Sequence, residues 1–173
     1  MSRILIIYSS VHGQTRKVTD FLKQQLESLG NEVSCASIDE TPDIAAFDKI
    51  IIGASIRHGK HNPAVYQFIS QNLQQLDDKP NSFFSINLVA RKPAKNTPAT
   101  NPYVQAFLAK TPWQPKLVEV FAGNLNYQGY NALDRNAIRF IMWLTKGPTA
   151  IDTNVEYTNW DKVSEYAQQL DQL

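Results

Sequence analysis

The chain is short of cysteine, of long apolar runs and of any excess of one charge, and each shortage closes a class of function. Cys35 is its only cysteine, so an intramolecular disulfide and any cysteine-built metal cluster are excluded, in keeping with a reducing compartment. No apolar run approaches the ~20 residues of a membrane span. The first one, Ile4–Tyr8, is too short for a secretory leader and lacks a cleavage-like site. Localisation is therefore expected to be cytoplasmic. Lysine and arginine together number 17 against 16 acids, a net charge of +1 over 173 residues, which gives no electrostatic footprint for nucleic acid. The three histidines are scattered, and no acid cluster or nucleophile–base pair stands near them. Hydrolysis has no support, and no metal is expected.

Acids are also missing locally. Lys49–Leu76 holds Lys49, Arg57 and Lys60 and no Asp or Glu, and Lys79–Val118 holds Lys79, Arg91, Lys92, Lys95, Lys110 and Lys116 and again none. Both stretches cover loops that follow apolar runs, which predicts a positive rim around one site and an anionic ligand.

Short β-rich runs alternate with helical patterns over the whole length. Strands are predicted at Arg3–Tyr8, Glu32–Ile38, Asp48–Ala54, Ser82–Val89 and Lys116–Ala122. Helices are predicted at Gln14–Leu29, Pro63–Leu76, from about Pro102 to Lys110, and at Asn159–Leu170. Alternation of this kind builds an α/β fold, a five-stranded parallel sheet doubly wound with helices on both faces. No internal boundary is visible, so residues 1–173 are expected to form one domain. Gly123–Tyr157 is surplus to that scheme. It carries a helix of its own, about Ala132–Thr145, and an excursion of that length is usually functional.

The run Ile4–Tyr8 stops in Ser9-Ser10-Val11-His12-Gly13-Gln14-Thr15, with a helical pattern starting at once. In an open α/β sheet this is where ligands bind, beyond the carboxyl end of a strand. Free amides at the helix start and the hydroxyls of Ser9, Ser10 and Thr15 suit a phosphate monoester. A helix start capped by Ser or Thr would give the same pattern. The loop is neither G-x-x-x-x-G-K-[ST] nor G-x-G-x-x-G.

The loop, the alternation and the two later loops Ser55–His61 and Asn87–Pro93 together resemble the flavodoxin-like family. Those later loops are basic and hold no Trp or Tyr, whereas carrier flavodoxins commonly stack aromatics on the flavin and are acidic there. A narrower likeness rests on G-A-S-I-R (Gly53–Arg57), S-I-N-L-V-A-R-K-P (Ser85–Pro93), Tyr157-Thr158-x-Trp160 and the helical excursion before the last helix. On these the chain resembles the bacterial quinone-dependent protoporphyrinogen oxidases. That resemblance implies FMN, protoporphyrinogen IX as substrate, and a membrane quinone, menaquinone or ubiquinone, as acceptor. It also implies peripheral contact with the cytoplasmic face of the inner membrane through the insert, and it leaves a homo-oligomer open. FMN would be held by Ser9, Ser10, Val11, His12, Gly13, Gln14 and Thr15, by Ser55 and Ile56, and by Asn87, Leu88, Val89 and Ala90. No side chain is expected to be catalytic, the flavin N5 carrying the chemistry.

Arg57, Arg91 and Lys92 are the nearest candidates for the substrate's carboxylates, since Arg–carboxylate pairing is strong and directional. Arg135 and Arg139, one turn apart in the insert helix, are added to them. The apolar remainder of that helix, Phe140–Leu144, is expected against the core, lipid or quinone. A helix tucked on the sheet edge with two solvated arginines is the other reading. His12 is expected as a loop donor or solvent-facing, and His58 and His61 as exposed or as partners for a proton or carboxylate. A protein-to-protein electron carrier and an NAD(P)H:quinone oxidoreductase are the alternatives to porphyrinogen oxidation.

Overall fold

Apolar residues on both faces of one strand demand cover on both sides, and the computed structural model, which describes residues 1–173, supplies it. The elements run β1 Arg3–Ser9, α1 Gln14–Ser28, β2 Glu32–Ser37, β3 Lys49–Arg57, β4 Lys60–His61, α2 Pro63–Gln71, α3 Leu73–Asp78, β5 Asn81–Asn87, α4 Pro102–Lys110, β6 Leu117–Ala122, β7 Asn124–Asn126, α5 Ala132–Leu144, β8 Asn154–Glu156 and α6 Trp160–Gln172. Five strands pair in parallel in the order β2-β1-β3-β5-β6, with β4 folded back antiparallel on β3. Ile4 and Ile6 of β1, Ile51 of β3 and Phe84 of β5 face α1 and α6, where Val18, Leu22, Leu26, Tyr166 and Leu170 close the layer. Leu5, Ile7, Ile50, Ile52 and Phe83 face the other way, onto Val65, Phe68, Ile69, Leu76 and Phe107 of α2, α3 and α4. Gly53 is glycine because a Cβ there would stand 2.1 Å from the Phe84 ring of the neighbouring strand.

The expected doubly wound sheet is present, and the departures from expectation are local. β3 does not end at Ala54 but runs to Arg57, where a hairpin through His58 (φ 50°) and Gly59 (φ 76°) returns as β4. Ser55, Ile56 and Arg57 are thus strand residues rather than loop. β5 ends at Asn87, two residues early, because the Asn87 side chain accepts from the Ala90 amide and winds Leu88–Arg91 into a short helical turn. The helix predicted over Pro63–Leu76 breaks at Asn72, whose side chain donates to the Phe68 carbonyl.

The insert carries two strands that the periodicity does not show, β7 and β8, paired antiparallel from Asn124↔Glu156 to Asn126↔Asn154. The Tyr157 amide donates to the Gly123 carbonyl at 3.1 Å, so the excursion leaves and returns at one point. Leu125, Tyr127, Tyr130 and Met142 give it a small core of its own. No helix is long and apolar enough to cross a membrane.

Candidate active site

An open cleft lies beyond the carboxyl ends of β1, β3 and β5. The order β2-β1-β3 reverses the direction of winding there, and such a switch point is where doubly wound sheets bind ligands. One wall comes from the loop after β1 (Ser10, His12, Gln14, Thr15). A second comes from the end of β3 and its hairpin (Ser55 to Gly59). A third comes from the end of β5 and the following turn (Ile86 to Val89, and Arg91). The fourth is α5 of the insert, which presents Asp134, Ala137, Ile138, Ile141 and Met142.

The head of the cleft is the start of α1. Asparagine side chains cap α2, α4, α5 and α6, each accepting from first-turn amides. α1 has no side-chain cap. It begins after Gly13, held at φ 90°, which favours glycine. The Thr15 hydroxyl, fully buried in the first turn, has no hydrogen-bond partner. The simple capped start is therefore wrong for this helix: its amides and one buried hydroxyl are left for something else. Ser10 Oγ accepts from the Gly13 amide at 3.1 Å and shapes the loop.

Most of the expected cofactor residues converge on the cleft: Ser10, His12, Gln14, Thr15, Ser55, Ile56, Asn87, Leu88 and Val89 line it. Ser9 lies beneath, its hydroxyl accepting from Asn62 Nδ2 at 3.1 Å. Val11 and Gly13 are exposed on the loop. Ala90 is buried with Val104, Val120 and Ala122.

Of the five cations expected for substrate, Arg57 and Arg91 line the cleft and three do not. Lys92 lies outside it. Arg135 donates to the Tyr130 carbonyl at 3.4 Å and Arg139 to that of Thr149 at 2.9 Å, so both serve the insert's own backbone. They do share a helix face, but the cleft receives the adjacent one. Nor do the acid-free stretches form one rim. Lys49 is buried, donating to the carbonyls of Leu170 and Asp171, and Lys79 to those of Ile44 and Phe47.

His61 is not exposed. It packs edge-on against Phe83 and Phe107, lies 2.7 Å from Ser85 Oγ, and burial pushes its pKa down to about 4. Beyond Ser85 the chain of contacts runs to the Asn87 amide and Asn101, fixing the turn after β5 from below. His12 and His58 instead turn to an acid that sequence reasoning passed over. Asp134, in the first turn of α5, has Oδ1 2.6 Å from His58 Nε2, and Oδ2 3.3 Å from Arg57 Nη2 and 3.7 Å from His12 Nε2. The available signal was the period Asp134, Ala137/Ile138, Ile141, which marks a face distinct from that of Arg135 and Arg139.

The flavodoxin domain family matches residues 5–152 of the chain. Over 173 residues the sequence is 38% identical to the protoporphyrinogen IX dehydrogenase (quinone) of Escherichia coli strain K12, covering 99% of this chain and 96% of that protein. The chain belongs to the flavodoxin-domain family of quinone-type protoporphyrinogen IX dehydrogenases. A member from Leishmania major is likewise 38% identical over 169 residues, covering 95% of this chain and 73% of its own length. Outside the dehydrogenases, oxidised flavodoxin 2 from Bacillus cereus shares the fold, with a TM-score of 0.54, 18% identity and 98% of both chains covered.

Proposed function

We propose that this protein is an FMN-dependent protoporphyrinogen IX dehydrogenase, an oxidoreductase that converts protoporphyrinogen IX to protoporphyrin IX with a membrane quinone as electron acceptor. The reaction is the penultimate step of haem synthesis. The observation that carries this reading is identity of 38% along nearly the full length, insert included, with proteins of that activity.

The residues present fit FMN. Its phosphate is suited to the uncapped amides of α1, the orphaned Thr15 hydroxyl and the Ser10 hydroxyl, a neutral donor set at the positive end of a helix dipole. Ser55, Ile56 and Asn87 to Val89 stand where the ring would lie, with Ala90 buried behind them. When bound, the flavin supplies the two-electron chemistry.

The chain's own part is to bind and orient. Ile138 and Ile141 of α5 line the cleft together with Ile56 and Leu88, an apolar lining suited to a flat macrocycle. Arg57 and Arg91 supply positive charge for its propionates. Arg91 already donates to Leu88 O and Thr145 Oγ1, so it acts with its remaining donors. Phe140, Trp143 and Leu144, on the outer side of α5, are exposed by 59–67%. They suit shallow, reversible contact with the cytoplasmic face of the inner membrane, where quinone dissolves. The test is the purified protein given protoporphyrinogen, NADH or NADPH, each with a quinone. Flavin absorbance together with turnover on protoporphyrinogen alone is expected. Turnover on a pyridine nucleotide instead would replace this reading with an NAD(P)H:quinone oxidoreductase.

A further inference from the structure

Asp134 is the only carboxylate lining the cleft, and its side chain is just 3% exposed. A buried acid is tolerated when paired, and this one meets His12 from the loop after β1 and Arg57 and His58 from the β3–β4 hairpin. Burial by itself pushes the carboxyl up, but the His58 hydrogen bond and the neighbouring positive charges outweigh it and hold the group below the ordinary range. His58 keeps a left-handed backbone (φ 50°), which histidine, asparagine and aspartate adopt more readily than other non-glycine residues, while its ring lies against Asp134. At the other end of the helix Arg91 Nη2 donates to Thr145 Oγ1, the C-cap of α5, at 2.9 Å. The helix is thus pinned at both ends to the three loops that form the cleft, and between the pins it offers Ala137, Ile138 and Ile141 to the interior.

We propose that Asp134 is a positioning residue for the porphyrinogen: its carboxylate seats α5 as the far wall of the cleft and fixes Arg57 and His58 so that their remaining donors face the substrate. The inference rests on the function proposed above. It also makes a prediction opposite to simple electrostatics. Removing a negative charge from a cleft that receives a dianion should tighten binding if charge balance were all that Asp134 provided. If it positions the wall, binding must weaken although the cleft has become more positive.

The experiment uses the FMN-loaded protein and its Asp134→Asn and Asp134→Glu variants. It measures KM and kcat for protoporphyrinogen with quinone, FMN affinity by fluorescence quenching, and amide hydrogen exchange across 132–145. Asp134→Asn is expected to raise KM at least tenfold with kcat within threefold, to leave FMN affinity within threefold, and to speed exchange in α5 but not in α1 or α6. Asp134→Glu should recover part of the KM. His58→Asn removes the shortest contact from a half-exposed site and suits the left-handed backbone. It should speed exchange in α5 in the same way, whether or not Asp134→Asn folds well. An unchanged or lowered KM, or unchanged exchange in α5 in both variants, overturns the proposal. If the unaltered protein holds FMN but does not turn over protoporphyrinogen, the functional reading fails instead, and exchange in α5 still decides whether Asp134 seats the helix.

Discussion

Thr15 and His61 are both buried polar residues near one cleft, and they pose opposite problems. The Thr15 hydroxyl lies in the first turn of α1 with no partner, a cost accepted where a ligand will supply one. Replacing it with valine keeps the shape and removes the donor. FMN affinity, measured by fluorescence titration, should then fall by about 1.5–3 kcal/mol, the usual worth of a hydrogen bond to a charged group. An unaltered affinity would take Thr15 out of the phosphate site. His61 has its partner in Ser85, and burial holds its pKa at about 4. Above pH 6.5 the ring is neutral in folded and unfolded chains alike. Between pH 6.5 and 4 the unfolded chain takes up the proton first, so stability falls as pH falls, by up to about 3 kcal/mol. His61→Gln can keep a bond to Ser85 and does not titrate. Denaturant unfolding of that variant should show a flatter dependence across this window, and parallel curves for the two proteins would remove His61 as the cause. Sequence reasoning put Thr15 at a strand–loop–helix junction and the structure has it there, on the cleft, because strand, loop and helix start adjoin along the chain. It missed the burial of His61, which depends on Phe83 and Phe107 arriving from other elements.

Elements whose character is set by local periodicity were legible: β1, α1, α4 and β6 lie within a residue or two of their expected bounds. Elements set by a single side chain were not. Asn72 splits one helix and Asn87 ends one strand, each through one hydrogen bond to the backbone. The insert helix was found, but its orientation was not, because Arg135–Arg139 and Asp134–Ile138–Ile141 describe equally regular faces and only packing chooses between them. The two large sheet-facing clusters contain no residue of the insert, and its two ends meet at the Gly123–Tyr157 hydrogen bond. Replacing 123–157 by a short Gly/Ser link should therefore leave near-UV circular dichroism of the sheet core and FMN binding in place while protoporphyrinogen:quinone turnover disappears. Persistent turnover would make the insert dispensable. Loss of FMN would show that α5 belongs to the cofactor site as well as to the substrate wall.

For the molecule as a whole, one side of the insert faces the cleft and the other faces out. Leu133, Phe140, Trp143 and Leu144 of α5 and Ile151 beyond it are all close to half exposed or more, and each large apolar side chain buried from water is worth about 1.5–3 kcal/mol. Phe140→Ser together with Trp143→Ser should reduce co-flotation with anionic lipid vesicles at least tenfold, while turnover with a short-chain, water-soluble quinone stays within twofold. Equal loss of both activities would place these residues in the reaction rather than at a membrane. The narrow neck at Gly123 and Tyr157 bears on how such a protein tolerates change. An excursion that closes on itself at its base adds little to the loop-closure entropy carried by the sheet, and that cost grows only slowly with length. The residues that the insert contributes to the cleft, Asp134, Ala137, Ile138, Ile141 and Met142, are thereby separated from those that keep the sheet folded. Substitutions, insertions and deletions in the insert can alter specificity with little penalty in global stability, so new preferences can be explored there without the usual trade against folding.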